Sequence, residues 1–95
     1  MLCPFRLNLP ERRVNKMNNI PVIDVIATGR NINDLRVRAG LTVRDLQRIL
    51  GFSNPQAIYK WQNGLSIPSI DNLVILAAVL NASIDDIIVL QEAIS

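Results

Sequence analysis

Between positions 54 and 63 the chain sets out a row of side chains able to make directed hydrogen bonds: Asn54, Gln56, Tyr59, Lys60 and Asn63. Gln56 and Lys60 are four apart and share one face of a helix, with Tyr59 and Asn63 pointing away from its apolar side. A carboxamide matches the paired N6 and N7 groups of adenine, and an ammonium suits the N7 and O6 acceptors of guanine. A helix bearing this face has the chemistry to read base edges in a major groove. Gln56 and Lys60 are the leading readers. Tyr59 can pack on a thymine methyl or give its hydroxyl to a phosphate, and Asn54 and Asn63 stand where phosphates would meet the two ends of the helix. The plainer reading is that Gln56, Tyr59 and Lys60 form an ordinary solvated face and the two asparagines only cap. Upstream, Arg44 and Arg48 lie one turn apart. They are spaced to clamp a phosphate, Arg44 the better placed because free amides lie at its end of a helix, or else they are solubilising charge.

These side chains need a short, well-terminated helix beneath them. Asn54 offers a capping oxygen, Pro55 suits a first helical position that needs no amide proton, and Asn63 with Gly64 supplies a left-handed exit. The spacing predicts a helix over 54–63, with Ile58 and Trp61 on its buried side. Trp61, three residues after Ile58, reads as core rather than as a stacking platform for single strands. Just before it, Thr42 caps a helix with the apolar stripe Val43, Leu46, Ile49 and Leu50, ending at Gly51. Two short helices joined by a tight turn constitute a helix-turn-helix.

The remaining elements follow from the same signals. Residues 20–25 are apolar around Pro21 and predict an extended lead-in that packs on the core. Val25, Ile32 and Leu35 recur at helical spacing from Asp24 or Val25 to Ala39, where Gly40 stops the first helix. After a loop over 65–68, Ser69 caps a fourth helix running to Leu80, its stripe Ile70, Leu73, Val74, Ala77 and Leu80, with Asn81 as the exit. Ser83 followed by Asp86 is a capping-box variant that opens a fifth helix including Ile84, Ile87 and Ile88. Asp71, Asp85 and Asp86 sit at helix starts, where carboxylates favour the dipole, and no nucleophile or phosphate loop accompanies them. They carry no catalytic reading.

Ninety-five residues, 49% of them hydrophobic and only 4% aromatic, suit one small helical domain with an aliphatic core. Charge is unevenly placed. Over 29–63, Arg30, Arg36, Arg38, Arg44, Arg48 and Lys60 face Asp34 and Asp45 for a balance of +4, whereas 64–95 holds only Asp71, Asp85, Asp86 and Glu92, a balance of −4. One half can approach a polyanion and the other would avoid it. Arg30 and Arg38 read as surface charge, with Arg38 a weak candidate for a DNA backbone. A single Cys3 and the absence of histidine exclude an intrachain disulfide, Cys/His metal sites and histidine acid-base chemistry. No cofactor is called for. No apolar run reaches the roughly 18 residues of a membrane span, and Pro4, Arg6, Asn8 and Pro10 break up any signal-peptide core. The expected compartment is the cytoplasm.

Residues 1–19 read as a disordered tail before a domain over 20–95, with a basic arm following a DNA groove as the functional alternative. Residues 11–13, Glu-Arg-Arg, can be encoded by GAA-AGG-AGG, a ribosome-binding sequence placed about nine nucleotides before a start codon at Met17. On that reading 1–16 is a mis-assigned start, and net charge moves from +2 to −1. Codons other than AGG at Arg12 and Arg13 would overturn it.

Leu35-Arg36, Gly40-Leu41-Thr42, Leu46, Gly51, Ile58, Trp61, Asn63-Gly64, Pro68-Ser69, Leu73, Leu76-Ala77 and Ser83-Ile84-Asp85-Asp86-Ile87 stand in an order that resembles the Cro/C1-type, lambda-repressor-like helix-turn-helix family. The resemblance covers about 29–89. It implies an all-α, compact five-helix bundle, double-stranded DNA as partner, and a non-enzymatic regulatory role in a bacterium, phage or mobile element. Against the family pattern, the turn from Gly51 to Trp61 is one residue longer and Pro55 opens the recognition helix. Gln47 replaces a small residue at the helix contact, and Val43 replaces a polar one. Gln62 faces Arg36 where a glutamate is frequent, and Leu65 and Ser66 replace basic residues. Together these imply a weak grip on phosphates per monomer. A lone headpiece of this kind works in pairs on half-sites about one helical turn apart, which points to a homodimer. Ile88, Leu90 and Ile94 are candidates for a twofold contact unless they simply close the core. The competing function is a protein-interaction module, an antitoxin or adaptor, on the same fold.

Overall fold

The computed structural model describes residues 21–91. The expectations for 1–19, for a basic arm and for Ile94 lie outside the described residues. Five helices follow in order: α1 (Val25–Arg38), α2 (Val43–Leu50), α3 (Gln56–Gln62), α4 (Ile70–Leu80) and α5 (Ile84–Ile87). Their starts are chemical. Asp24 Oδ1 accepts from the Ala27 amide at 3.0 Å, Ser69 Oγ accepts from the Asn72 amide at 3.3 Å, and reciprocal capping boxes open α2 (Thr42 with Asp45) and α5 (Ser83 with Asp86). Their ends are equally defined. At the close of α3 the Leu65 amide donates back to the Lys60 carbonyl at 2.9 Å and the Gly64 amide to Trp61 at 3.1 Å, with Gly64 at φ +75°. A left-handed residue follows α4 as well, where Asn81 serves instead of glycine.

Ile32, Leu46, Ile58, Trp61, Leu73, Leu76, Leu80 and Ile87 form one aliphatic core with one large aromatic. Phe52 meets Trp61 edge to face at 5.9 Å between ring centroids. The lead-in does more than pack: the Asp24 amide donates to Val89 O at 2.7 Å and the Gln91 amide to Val22 O at 2.8 Å, so 22–24 runs antiparallel to 89–91. Thr28, almost wholly buried in α1, locks that ribbon, its hydroxyl accepting from the Val89 amide at 2.9 Å. Asn31 Nδ2 donates to the carbonyls of Asp86 and Ile87, tying the end of α5 to α1.

Several expectations are corrected. The recognition helix is Gln56–Gln62 rather than 54–63, because Pro55 adopts φ −89°, ψ 9° and the first helical amides fall later. Pro55 thus takes the N-cap position with no side-chain cap bond, and Asn54, one residue before it, accepts from the Gln56 amide at 3.0 Å instead of capping the helix itself. In α4 the stripe is Leu73, Leu76 and Leu80, while Ile70 and Val74 are 74% and 55% exposed. The helix is apolar nearly all round, so periodicity alone did not choose the inward face. In α2 Ile49 is exposed, and at the last helix Ile88 already lies in extended backbone outside α5.

Candidate nucleic-acid interface

The face of α3 opposite the core is a polar surface. Ile58 is fully buried and Trp61 is 4% exposed, so the helix is anchored by these two. That anchoring leaves Gln56, Tyr59, Lys60 and Asn63 exposed, with Asn54 exposed at the N-terminal end. The side chains named from spacing therefore do share one solvent-facing surface. Gln56 begins the helix, and its amide is held by Asn54, so the Asn54 side-chain oxygen is engaged in the turn that leads into α3. Arg44 is exposed in the first turn of α2, beside the Thr42 cap. Arg48, exposed, stands 3.8 Å from the partly exposed Asp45, a pair too solvated to contribute much to stability. The Asp45 carboxyl is held below its ordinary range, first by the Thr42 amide at 2.8 Å, then by the Thr42 hydroxyl and by Arg48.

Two devices fix α3 against α1. The first is distance: the helices approach so closely at Gly29 that a Cβ there would lie 2.0 Å from the Trp61 carbonyl oxygen. Residues with side chains cannot occupy that point unless the backbones part. The second is Arg36, whose Nε donates to Gln62 Oε1 at 3.1 Å, Nη1 to Leu41 O at 2.7 Å and Nη2 to Asn33 Oδ1 at 2.8 Å. One side chain thus joins α1, the turn after it and the recognition helix. Arg36 facing Gln62 was legible from sequence. Gly29 was not singled out, although a glycine inside a helical pattern is a signal of close backbone approach.

The departures noted in the sequence have structural reasons. Val43 is half-buried against the core, so it packs inward at the position where a polar side chain would face out. Gln47 Nε2 donates to Phe52 O at 3.3 Å, which turns an oversized side chain into a brace for the turn. Leu65 and Ser66 are exposed after α3. No helix among the described residues is long and apolar enough to cross a membrane.

Comparison with known proteins agrees with this geometry. A family model described as Helix-turn-helix matches residues 32–87, from the middle of α1 to the end of α5. No curated protein matches the chain in sequence. Among solved structures, the fold is similar to the restriction-modification controller protein C.AhdI from Aeromonas hydrophila, at TM-score 0.60 and 22% identity over 67% of this chain and 96% of that one. It is also similar to the clp gene regulator ClgR from C. glutamicum, at TM-score 0.60 and 24% identity over 72% of this chain and 86% of that one. With a matched helix-turn-helix, the anchored recognition helix and five capped helices in the family order, the chain belongs to the Cro/C1-type helix-turn-helix family and is a DNA-binding transcriptional regulator, not an enzyme.

Proposed function

We propose that the protein reads double-stranded DNA by laying α3 in the major groove, as a homodimer working in the cytoplasm on two half-sites. The observation that carries this reading is the exposed row Gln56, Tyr59, Lys60 and Asn63 on a helix whose opposite face is pinned by Ile58 and Trp61. Gln56 and Lys60 recognise bases, and Tyr59 contacts a thymine methyl or a phosphate. Asn54 and Asn63 meet phosphates at the helix ends with their remaining hydrogen-bonding capacity, and Arg44 anchors a phosphate at the start of α2.

The charge balance supports pairing. With few cations on its positive half, one copy neutralises few phosphates and binds weakly at physiological salt. Two copies on one site add their contacts. A second copy has apolar surface to meet: Ile70, Val74, Ile75 and Ala78 are all exposed on the outer side of α4, and Leu90 is exposed at the terminal ribbon. Ile88 packs against the core and contributes less to such a contact than its sequence position suggests.

Selection from a randomised duplex library at about 0.1 M salt tests the reading. The expected product is a palindrome of two short half-sites, with base preference lost at defined positions on Gln56→Ala or Lys60→Ala. Recovery of no motif, together with co-purification of a protein whose binding ignores both substitutions, would replace DNA reading by the antitoxin or adaptor role.

A further inference from the structure

We infer that Arg36 is an uncompensated cation built into the clamp of the recognition helix, and that Gln62 is the residue that keeps its charge available to DNA. The inference rests on the reading that α3 faces the duplex. All three acceptors around the guanidinium are neutral: the Gln62 carboxamide oxygen, the Leu41 carbonyl and the Asn33 carboxamide oxygen. Among the described residues the only ion pair is that between Arg48 and Asp45, so no described carboxylate pairs with Arg36.

A half-buried cation without a counter-ion needs some other source of negative potential. Here it is supplied by helix ends. Arg36 lies in the last turn of α1, and Gln62 is the last residue of α3, so the side chain sits beside the carbonyl-rich termini of two helices. Dipoles of this kind hold a charge in place without cancelling its field at a distance. A guanidinium also stays charged through any working pH. The clamp therefore orients α3 and adds one positive charge to the half of the molecule that carries Arg44, Arg48 and Lys60. A glutamate at position 62 would make the same hydrogen bond and form an ion pair, strengthening the clamp while removing that field.

The test uses the full chain and a random-sequence duplex of about 20 base pairs, whose binding is electrostatic and needs no operator. Gln62→Glu is expected to fold with thermal stability equal to or above wild type. Its affinity should fall about three- to tenfold at about 0.05 M salt, the difference shrinking below about twofold at about 0.5 M, where screening is short-ranged. Asn81→Asp, which makes the same amide-to-carboxylate change of charge at an exposed residue after the end of α4, outside both α3 and the apolar face, should lose less than half as much on a logarithmic scale. Arg36→Lys keeps the charge and loses the three-way clamp, so it should lower stability yet retain the wild-type salt dependence. Wild-type affinity in Gln62→Glu at every salt concentration, or an equal loss in Asn81→Asp, overturns the inference alone. Absence of salt-dependent duplex binding by the wild type overturns both it and the reading on which it rests.

Discussion

Alanine at Gly29 is the sharpest test of how α3 is held. A Cβ there would stand 2.0 Å from Trp61 O, 3.0 Å from Trp61 C and 3.2 Å from Gln62 O, all backbone atoms that cannot swing aside. Restoring an ordinary contact of 3.4 Å requires the two helices to part by about 1.4 Å, the difference between those distances. Two terms oppose each other. Replacing a mid-helix glycine by alanine contributes about 1 kcal/mol through propensity. Overpacking a close contact costs about 1–3 kcal/mol or more, and the upper end applies because the Trp61 carbonyl also accepts from the Gly64 amide and its ring lies in the core. The net loss is about 1–2 kcal/mol, which lowers the melting temperature of a domain this size by about 5–15 °C. Thermal and urea denaturation followed by circular dichroism read this directly, and duplex affinity should fall as well because the displaced element is the recognition helix. A Gly29→Ala protein that melts at or above the wild-type temperature, with unchanged affinity, would refute the close-approach argument.

Thr28→Val keeps the shape and removes the oxygen that accepts from the Val89 amide, so a loss of about 1–3 kcal/mol is expected in urea denaturation; an unchanged midpoint would mean the ribbon is not held there. The lowered Asp45 carboxyl gives a pH dependence of definite sign: its contribution is present above the ordinary carboxylate range and is lost as pH falls through the lowered value. Asp45→Asn should flatten the wild-type rise in stability with pH in the acid range, and parallel curves would contradict the capping-box account. Ile70→Lys with Val74→Lys, placed on the exposed side of α4, should change stability by less than about 0.5 kcal/mol per site while shifting sedimentation toward monomer. Unfolding of that variant would show that the face is core, and a persisting dimer would move the twofold contact elsewhere.

The helix order was legible because each boundary is written in a few residues. Thr42, Ser83 with Asp86, and Gly64 after Asn63 are local signals, and each forms the cap it predicts, Thr42 with Asp45 as a reciprocal partner besides. The polar row on α3 was legible for a related reason, since Ile58 and Trp61 leave only one side of a two-turn helix free. What local signals do not carry is which way a uniformly apolar helix turns. In α4 every third or fourth position is apolar from either starting point, and only packing against α5 and the rest of the core selects Leu73, Leu76 and Leu80 over Ile70 and Val74. Pairing of 22–24 with 89–91 was illegible as well, because the partners lie far apart in sequence and one residue on each side carries the bridge.

The contacts that orient the recognition helix and those that hold the ribbon of 22–24 and 89–91 come from nearby residues of α1. Gly29 meets α3, Thr28 meets Val89, Asn31 meets the end of α5, and Asn33 with Arg36 returns to α3. Because interiors are close-packed, a displacement of α1 away from Trp61 must be taken up on its other side, at the terminal ribbon. Thr28 and Gly29 are therefore energetically coupled, although they contact different elements. In a double-mutant cycle, Gly29→Ala already degrades the geometry of the Thr28 bond, so adding Thr28→Val should cost less than it does alone, by about 0.5–1 kcal/mol. Thr28→Val combined with Asp45→Asn, which shares no bonding partner with it, should be additive within about 0.5 kcal/mol. Additivity in both cycles would mean that α1 holds its two sets of contacts independently, and that whatever happens at the ribbon of 22–24 and 89–91 leaves the recognition helix unmoved.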